Sequence, residues 1–294
     1  MAAQDANDEV KLFSAQINRF LNVRDLTISQ NGREVYFTIQ SPNQEISQIA
    51  CMKMGIKDWE EPTLMPFCDE YKYLEPFLTT DAKRLYFVSD RPLIHSSNER
   101  KDFDIWYVER ANEEDEWSGP FNLGSPVNSD LNEFFPSLSE NNNLYITIES
   151  PSGYGKDDVY YCSWDGKKYS APVLLDENIN SNGYEFNAFI SRDESFLIFT
   201  KYQTPDGFGS GDLYISKKGN DGKWQPAMNL GIPVNTKYME YCPFYDESSE
   251  TLYFTSKRNS IQSRKFSDIS DFEQHINEGE NGLSKIYQIK WKMK

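Results

Sequence analysis

Three glutamates recur at one position of a repeated pattern in this 294-residue sequence, and their spacing could serve chemistry. The set comprises Glu133, Glu185 and Glu240. Each stands three residues before the segment that opens a repeat, as Glu133 does before Pro136. If the repeats surround one axis, three carboxylates at the mouth of the central channel would bind a cation, an amine or a basic peptide. Their mutual repulsion would raise some of their pKa values.

The same glutamates also have a purely structural interpretation. Because they recur with the repeat, each would cap backbone amides of a neighbouring repeat or pair with an arginine, Arg91 in SDRP or Arg258 in SKR. An enzymatic hypothesis stands beside it, since glycoside hydrolases use a pair of carboxyl groups. Such pairs usually consist of unlike residues that occur once, whereas these glutamates are alike. The sequence therefore predicts no catalytic residue, and the three glutamates, Arg91 and Arg258 are candidate ligand contacts.

The composition excludes several classes of partner. The chain carries 46 acidic and 30 basic residues, a formal net charge of −16, which would repel nucleic-acid phosphates and anionic lipid headgroups. No stretch approaches 18 consecutive apolar residues, so no helix is expected to span a bilayer. We therefore expect neither nucleic-acid binding nor membrane insertion, and we expect a monomer.

The sequence also offers little for metal or redox chemistry. Its four cysteines include no C-x-x-C pair, and only two histidines are present. The glycine-containing loops SGYGKDD from Ser152 and DGFGSGD from Asp206 do not match the twelve-residue calcium loop. We predict that they connect hairpin strands through glycines with positive φ. Buried free thiols and no cofactor are expected, and a cation such as calcium at the channel has no support from the sequence.

A repeat of five units positions these residues. Five segments share a short strand, a polar turn and a second strand, and they begin near residues 26, 76, 136, 188 and 243. A third strand, such as DFDIWYVER, and a Trp-x-Pro or aromatic-x-x-Pro element with a following strand complete the unit. Alternating aromatic and β-branched residues bounded by Gly, Asn, Asp and Ser are typical of short antiparallel strands. Four strands per unit indicate one propeller blade.

The two ends of the chain decide how the ring closes. The fifth unit reaches its third strand at KIYQIKWK and has no fourth. The N-terminal segment VKLFSAQIN ends at Asn18, eight residues before Leu26, just as Asn128 lies eight residues before Pro136. We therefore predict an all-β, five-bladed β-propeller, one domain over residues 1–294. Its N-terminal strand completes the last blade and removes an exposed sheet edge.

One segment leaves an alternative open. Six blades would result if residues 258–284 hid a degenerate blade. However, SDISDFEQHINEG within it is typical of a short polar helix rather than of four strands. We therefore expect a loop insertion over residues 259–284.

Several elements in fixed order carry a resemblance to a known family. They are NLGSPVNSDLNEFFPSLS, NLGIPVNTKYMEYCPFYD, the following LYF strands, SDRP, SKR and third strands of the type D-[IVL]-Y. At these residues the chain resembles the TolB-type, WD-repeat-like family of bacterial periplasmic and exported β-propellers. The resemblance implies recognition of proteins or glycans at the cell envelope, in the periplasm or outside the cell. Because MAAQDANDEV lacks the features of a signal peptide, export implies that a signal sequence was removed and replaced by the initial Met.

The first two repeats depart from the family pattern. Leu26 replaces the proline in the first, and Glu75 stands directly beside Pro76 in the second. We expect these two blades to contribute less to any shared site. The least repetitive segments, residues 92–101 and 259–284, are expected to carry partner specificity, because variable loops on a rigid scaffold often carry recognition.

The sequence thus favours a non-catalytic binding or scaffold propeller at the bacterial cell envelope. Its expected partner is a protein, a peptide or a glycan, bound at the channel mouth and the long loops. The alternative is a glycoside hydrolase-like or other carbohydrate-active enzyme that uses channel carboxylates.

Overall fold

The computed structural model describes residues 9–93, 100–277 and 279–292, and in them the chain forms five four-stranded antiparallel sheets. The sheets are the blades of a five-bladed β-propeller, so the predicted fold class is confirmed. Within the same residues, no helix is both long and apolar enough to cross a membrane.

The strands follow the order that the repeat predicts. A short strand, β1 (Lys11–Leu12), and a one-turn helix, α1 (Ala15–Asn18), precede the first blade. Blade 1 consists of β2 (Asn22–Ile28), β3 (Glu34–Gln40), β4 (Ser47–Lys53) and β5 (Thr63–Leu64). Blade 2 consists of β6 (Tyr73–Leu78), β7 (Arg84–Ser89), β8 (Asp104–Glu109) and β9 (Phe121–Asn122). Blade 3 consists of β10 (Glu133–Leu138), β11 (Leu144–Glu149), β12 (Asp157–Cys162) and β13 (Val173–Leu174).

The last two blades complete the ring. Blade 4 consists of β14 (Glu185–Ile190), β15 (Phe196–Tyr202), β16 (Gly211–Lys217) and β17 (Met228–Asn229). Blade 5 contains β18 (Glu240–Asp246) and β19 (Thr251–Ser256), then, after helix α2 (Ile269–Asn277), β20 (Lys285–Lys290). The innermost strands are β2, β6, β10, β14 and β18, which contact one another around the ring, and the fourth strand of blade 5 is β1.

Stacking of the blades buries both faces of the central strands. Strand β7 reads RLYFVS and is buried over residues 85–89. Because both faces pack against other blades, such a strand is a nearly continuous apolar run rather than an alternating one. Aromatic pairs join neighbouring blades. Trp117 of blade 2 lies edge-on to Tyr36 of blade 1 at 6.1 Å, and Trp224 of blade 4 lies edge-on to Tyr145 of blade 3 at 6.5 Å.

The N-terminal strand closes the ring as predicted. Strand β1 pairs antiparallel with β20, with Lys11 opposite Gln288 and Leu12 opposite Tyr287. The strand is shorter than VKLFSAQIN suggested, because α1 takes up residues 15–18. The two chain ends therefore share one blade.

An asparagine side chain fixes the outer segment of a blade to its third strand. Asn18 Nδ2 donates to Ile286 O at 3.0 Å, and Ile286 N donates to Asn18 Oδ1 at 2.9 Å. Asn180 forms the same two bonds with Val159, at 3.0 and 2.8 Å. The same clasp is made by Asn128 and Asn235. The N-terminal segment thus occupies a genuine fourth-strand position, held by the contact that internal blades use.

The segment between β19 and β20 is an insertion and not a sixth blade. Its described residues contain α2 and only a single isolated bridge, between Asn259 and Asn281. The six-bladed alternative is therefore wrong. The helix predicted within SDISDFEQHINEG is confirmed.

The glycine-containing loops connect hairpin strands as predicted, but for a different reason. SGYGKDD lies between β11 and β12, and DGFGSGD lies between β15 and β16. Neither Gly155 nor Gly209 has positive φ, so that part of the prediction is wrong. A Cβ on Gly155 would overlap the carbonyl oxygen of Gly183, and a Cβ on Gly209 would overlap that of Tyr238. These loops need glycine because they press against the backbone that leads into the next blade.

We expect Gly155→Ala to lower the free energy of unfolding by about 1–3 kcal/mol, because the new methyl group meets backbone that cannot turn away. Gly119→Ala is the matched control, since no atom lies within 4 Å of the position of its Cβ. The control should stay within about 0.5 kcal/mol of the parent protein. Urea denaturation measures the free energy of unfolding of both variants. Equal effects would contradict the close approach of Gly155 to the carbonyl oxygen of Gly183.

The closure generates a second prediction. Asn18→Ala should lower the free energy of unfolding by about 1–3 kcal/mol, because it leaves the N–H of Ile286 without its partner and removes one of the two bonds to Ile286 O. Asn180→Ala should cost a similar amount, since the clasp is the same. Exposed Asn182→Ala serves as the control. An Asn18→Ala protein as stable as the control in thermal unfolding would show that the seam does not support the ring.

Candidate functional site

The three repeated glutamates lie inside the blades, at the first residue of an innermost strand. Glu133, Glu185 and Glu240 open β10, β14 and β18 and are at most 1% exposed. Each accepts a hydrogen bond from a hydroxyl group four residues earlier. The bonds are Ser129 Oγ to Glu133 Oε1 at 2.5 Å, Ser181 Oγ to Glu185 Oε1 at 2.6 Å and Thr236 Oγ1 to Glu240 Oε1 at 2.8 Å. Each glutamate therefore fixes the turn that leads into its own strand.

The two candidate arginines lie against aromatic rings. Arg258 Nε is 3.5 Å from Glu240 Oε1, and its guanidinium carbon is 5.1 Å from the centre of the Tyr287 ring. The guanidinium carbon of Arg91 is 5.0 Å from the Trp106 ring, and no ion pair joins Arg91 to another described residue. None of these five candidates lines the cavity at the channel mouth. Ligand binding by these five residues stays a prediction. The ion pair between Glu240 and Arg258 is present in the structure.

Each innermost strand contains a β-bulge two residues after the position that Glu133 occupies in β10. The bulged residues meet at the channel axis. The register shifts there in all five blades, and the bulged residue has a φ between 50° and 58°. The five residues are Asp25, Glu75, Phe135, Asn187 and Cys242. Because a bulge interrupts the alternation of a strand, it re-aims the side chain. Hydrogen bonds between blades connect these positions, with Phe135 taking part through its backbone N–H; we call the five residues the axial ring.

A buried ion cluster occupies one side of the axial ring. Arg24 Nε donates to Asp25 Oδ1 at 2.6 Å, and Arg24 Nη2 donates to Glu75 Oε1 at 2.6 Å. The backbone N–H of Glu75 donates to Asp25 Oδ2 at 3.1 Å. Burial raises the pKa of Glu75 above the ordinary range; Arg24 opposes the rise and Asp25 adds to it. Both carboxylates are thus held by donors from the protein itself.

The remaining members complete the axial ring. Asn187 Nδ2 lies 3.3 Å from Glu75 Oε1, and Cys242 Sγ lies 3.3 Å from Asn187 Oδ1. Arg24 Nη2 also lies 3.3 Å from Cys242 Sγ. Polar contacts therefore pass through blades 1, 2, 4 and 5, and they close the centre of the channel.

A threonine joins most of these bulges to the preceding blade. The backbone N–H of Glu75 donates to Thr38 Oγ1 at 3.2 Å. The same bond joins Asp25 to Thr255 and Asn187 to Thr147, each at 3.1 Å. In blade 2 the equivalent position is Val88, which has no hydroxyl group. The bulge of blade 3, which follows blade 2, therefore has no threonine partner. Its backbone N–H, that of Phe135, donates to Glu75 Oε2 at 2.7 Å instead.

Sequence reasoning placed too little weight on the first two blades. Arg24, Asp25 and Glu75 come from them and form the charged part of the axial ring. The sequence signal for the axial ring is the residue directly before the proline position of each repeat. It differs in every repeat, whereas the glutamate two residues earlier is repeated. Structural roles repeat with the fold, and the variable position lines the centre.

A cavity of about 480 Å³ opens above the axial ring, on the face where the innermost strands begin. This volume lies in the usual range of ligand pockets, about 300–1,000 Å³. Phe134, Phe186 and Tyr241, which line it, occupy the same position in blades 3, 4 and 5, directly before the bulge. The amides of Gln40 and Asn187 lie in the same wall. Flat rings beside hydrogen-bonding groups suit a ligand that is partly apolar and partly polar.

At the opposite end of the channel, a cavity of about 70 Å³ is lined by Phe77, Phe189 and Phe244 together with polar side chains that include Arg192 and Glu247. The rings of Phe189 and Phe244 lie 5.5 Å apart, edge to face. A second cavity of about 800 Å³ adjoins it and shares Phe77 and Arg192 with it. The axial ring separates these cavities from the one above it, which we call the cup.

The cysteines are free thiols, as predicted. Cys51, Cys162 and Cys242 are buried, Cys68 is partly buried, and none forms a disulfide. Burial raises the pKa of the Cys51 thiol to about 12, so this thiol is a poor nucleophile. In the part of the chain that the structure describes, no group of three or more Asp, Glu, His or Cys side chains could hold a metal ion.

Neither a protein-family model nor a curated protein sequence matches the chain. It is similar in structure to the proposed TolB of Agrobacterium tumefaciens, with a TM-score of 0.51 and 10% identity, over 80% of this chain and 69% of that one. The match to TolB of Acinetobacter baumannii has a TM-score of 0.48 and 9% identity; it covers 91% of this chain and 54% of that chain, about half its length.

A third similar structure carries an enzyme name. The catalytic domain of an α-L-arabinofuranosidase from Coprinopsis cinerea matches with a TM-score of 0.55 and 10% identity, over 95% of this chain and 93% of that one. At such low identities, likeness concerns the fold alone.

The burial of Glu133 generates a pH-dependent prediction. Burial raises its pKa to about 7, although hydrogen bonds from Ser129 oppose the rise, and its Oε2 has no hydrogen-bond partner among the described residues. The folded protein therefore holds the proton more tightly than the unfolded chain. This contributes stability that is present below the unfolded pKa, about 4.3, and lost as the pH rises through about 7.

We expect Glu133→Gln to remove this loss of stability at higher pH, because the glutamine amide stays neutral. Between pH 5 and pH 8 the variant should gain about 1–3 kcal/mol in free energy of unfolding relative to the parent protein. Glu140→Gln, at a side chain that is 63% exposed, should keep the parent pH dependence. Urea denaturation at both pH values measures the free energy of unfolding. An equal change between pH 5 and pH 8 in Glu133→Gln and in the parent protein would refute this prediction.

Proposed function

We propose that the protein is a non-catalytic binding module that recognises a protein, a peptide or a glycan through the mouth of its channel. The observation that carries this proposal is the cup of about 480 Å³, with aromatic and amide side chains in its wall and the axial ring as its floor. A preformed concave site on a rigid scaffold is the usual form of a ligand site.

The carboxylates of the cup support binding rather than hydrolysis. Glycoside hydrolysis needs two carboxyl groups that flank the bond to be cleaved, with at least one free to donate or accept a proton. Both oxygens of Glu75 accept hydrogen bonds, from Arg24 and from the backbone N–H of Phe135. Asp157, whose pKa is raised by burial and then by Glu149, is the other acid in the wall. One free acid does not supply the pair.

Two segments extend the same face. In blade 1 the connection from the second to the third strand lines the cup through Asn43 and Gln44. Residues 92–101 and 259–284 belong to the corresponding connections of blades 2 and 5 in the chain, and residues 94–99 and 278 lie outside the described residues. In the second, Ile269 and Phe272 of α2 are 77% and 41% exposed. We propose that these segments contribute to partner choice.

The proposed location is the bacterial cell envelope, in the periplasm or outside the cell. It rests on the resemblance of the repeats to TolB-type propellers, and the likeness in fold to a TolB protein supports the same assignment. Expression of the native gene followed by cell fractionation would test the location, and recovery only from the cytoplasm would exclude it.

The proposed function predicts binding without turnover. In a screen of glycan and peptide arrays, Phe186→Ala should weaken any ligand that the parent protein retains by about tenfold, because the ring forms part of the cup wall. Phe121→Ala is the control, since this ring is 46% exposed on an outer strand. Mass spectrometry should recover the ligand unchanged. Cleavage that is lost in Glu133→Gln, Glu240→Gln or Asp157→Asn would establish the enzymatic alternative.

A further inference from the structure

Two lysines line the cup, although the whole chain has a net charge of −16. Three cationic side chains line it, those of Arg24, Lys72 and Lys257, against two acidic ones, Glu75 and Asp157. Arg24 is already paired with Asp25 and Glu75. Among the charged side chains of the wall, Lys72, Lys257 and Asp157 form no ion pair with a described residue.

Lys257 is the lysine whose surroundings are least favourable to its own charge. It directly follows β19, is partly buried, and its Nζ forms no ion pair or hydrogen bond with a described residue. Burial lowers its pKa below the ordinary value of a lysine, and the positive charge of Arg24 lowers it further. An anion bound in the cup would offset both effects, because it would supply the missing counter-charge.

The neutral part of the wall suits a sugar. Gln40 is 7% exposed, and its Nε2 donates to Ser47 Oγ at 2.8 Å, whereas its Oε1 is buried without a hydrogen-bond partner among the described residues. Such an acceptor calls for a donor on the ligand. Sugar hydroxyl groups supply donors at many positions, and the apolar face of a sugar ring packs on aromatic rings such as Phe134 and Phe186.

The closed floor sets the length of what can enter. Because the axial ring blocks the channel below the cup, a chain cannot thread through the propeller. The cup therefore accepts a chain end or a short branch. A volume of about 480 Å³ is at the lower end of the range for ligand pockets and suits a few sugar units at most.

We propose that the cup binds a carboxylate-bearing sugar at the end of an acidic glycan, with the carboxylate at Lys257 and the sugar ring against Phe186 and Phe134. This inference rests on the proposed binding function and specifies its ligand class. No covalent step is involved.

Calorimetric titration of the full chain tests it. The probes are short oligosaccharides of galacturonic acid, of glucuronic acid and of sialic acid, each beside its methyl ester, together with a pentaglutamate peptide. At least one acid should bind ten times more tightly than its ester, because only the acid can pair with the ammonium group. Lys257→Met should abolish that difference, and Lys257→Arg should retain most of it.

Lys223→Met, at an exposed lysine outside the cup, is the matched control and should bind as the parent protein does. Circular dichroism verifies that each variant is folded. Equal binding of acid and ester, or an undiminished preference in Lys257→Met, would overturn this inference and leave the proposed glycan-binding function intact. Binding of pentaglutamate alone, or of no probe at all, would overturn the assignment to acidic sugars. Cleavage of a probe would instead overturn the proposed function.

Discussion

The pairing of the two chain ends is the constraint on which the rest of the molecule depends. Strand β1 is the outer strand of blade 5, and the side-chain amide of Asn18 bonds to both the N–H and the C=O of Ile286. Lys285 reinforces this seam, because its buried Nζ donates to Asn18 O at 2.8 Å and to Phe20 O at 2.5 Å. Without the seam, β20 would expose an unpaired edge, and blade 5 would lose the bonds that Asn18 and Lys285 form across the closure.

The seam also determines the geometry of the cup. Arg24 belongs to blade 1 and Cys242 to blade 5, yet their side chains meet at the axis at 3.3 Å. Their contact can form only if the ring is closed. The ion cluster then fills the centre, and its carboxylate oxygens find donors inside the protein, which is the condition under which buried charge is tolerated. A closed floor with satisfied carboxylates is what makes the channel a receptor for a chain end.

Much of the fold could be predicted because it is written in local patterns. Strand alternation, turn residues and the spacing of Asn18 from Leu26 each depend on few neighbours, and together they determined five blades and their closure. The direction of the side chains could not be predicted in the same way. A bulge with positive φ at Phe135 or Cys242 has no sequence signal, because residues of these types rarely adopt it, and one bulge changes which residues face the axis. The glutamates therefore lie within the blades, and the aromatic residues that follow them, such as Phe134 and Phe186, line the cup instead.

The replacement of threonine by Val88 has a consequence for how this sequence can diverge. Where the other inner bulges of blades 1, 2 and 4 bond to a hydroxyl group, Phe135 bonds to the carboxylate of Glu75. One residue thus serves its own blade, the arginine of the blade before it and the backbone of the blade after it. Substitutions at positions 88 and 75 are therefore coupled: a hydroxyl group restored at position 88 would relieve Glu75 of its bond to Phe135, but not of its pairing with Arg24.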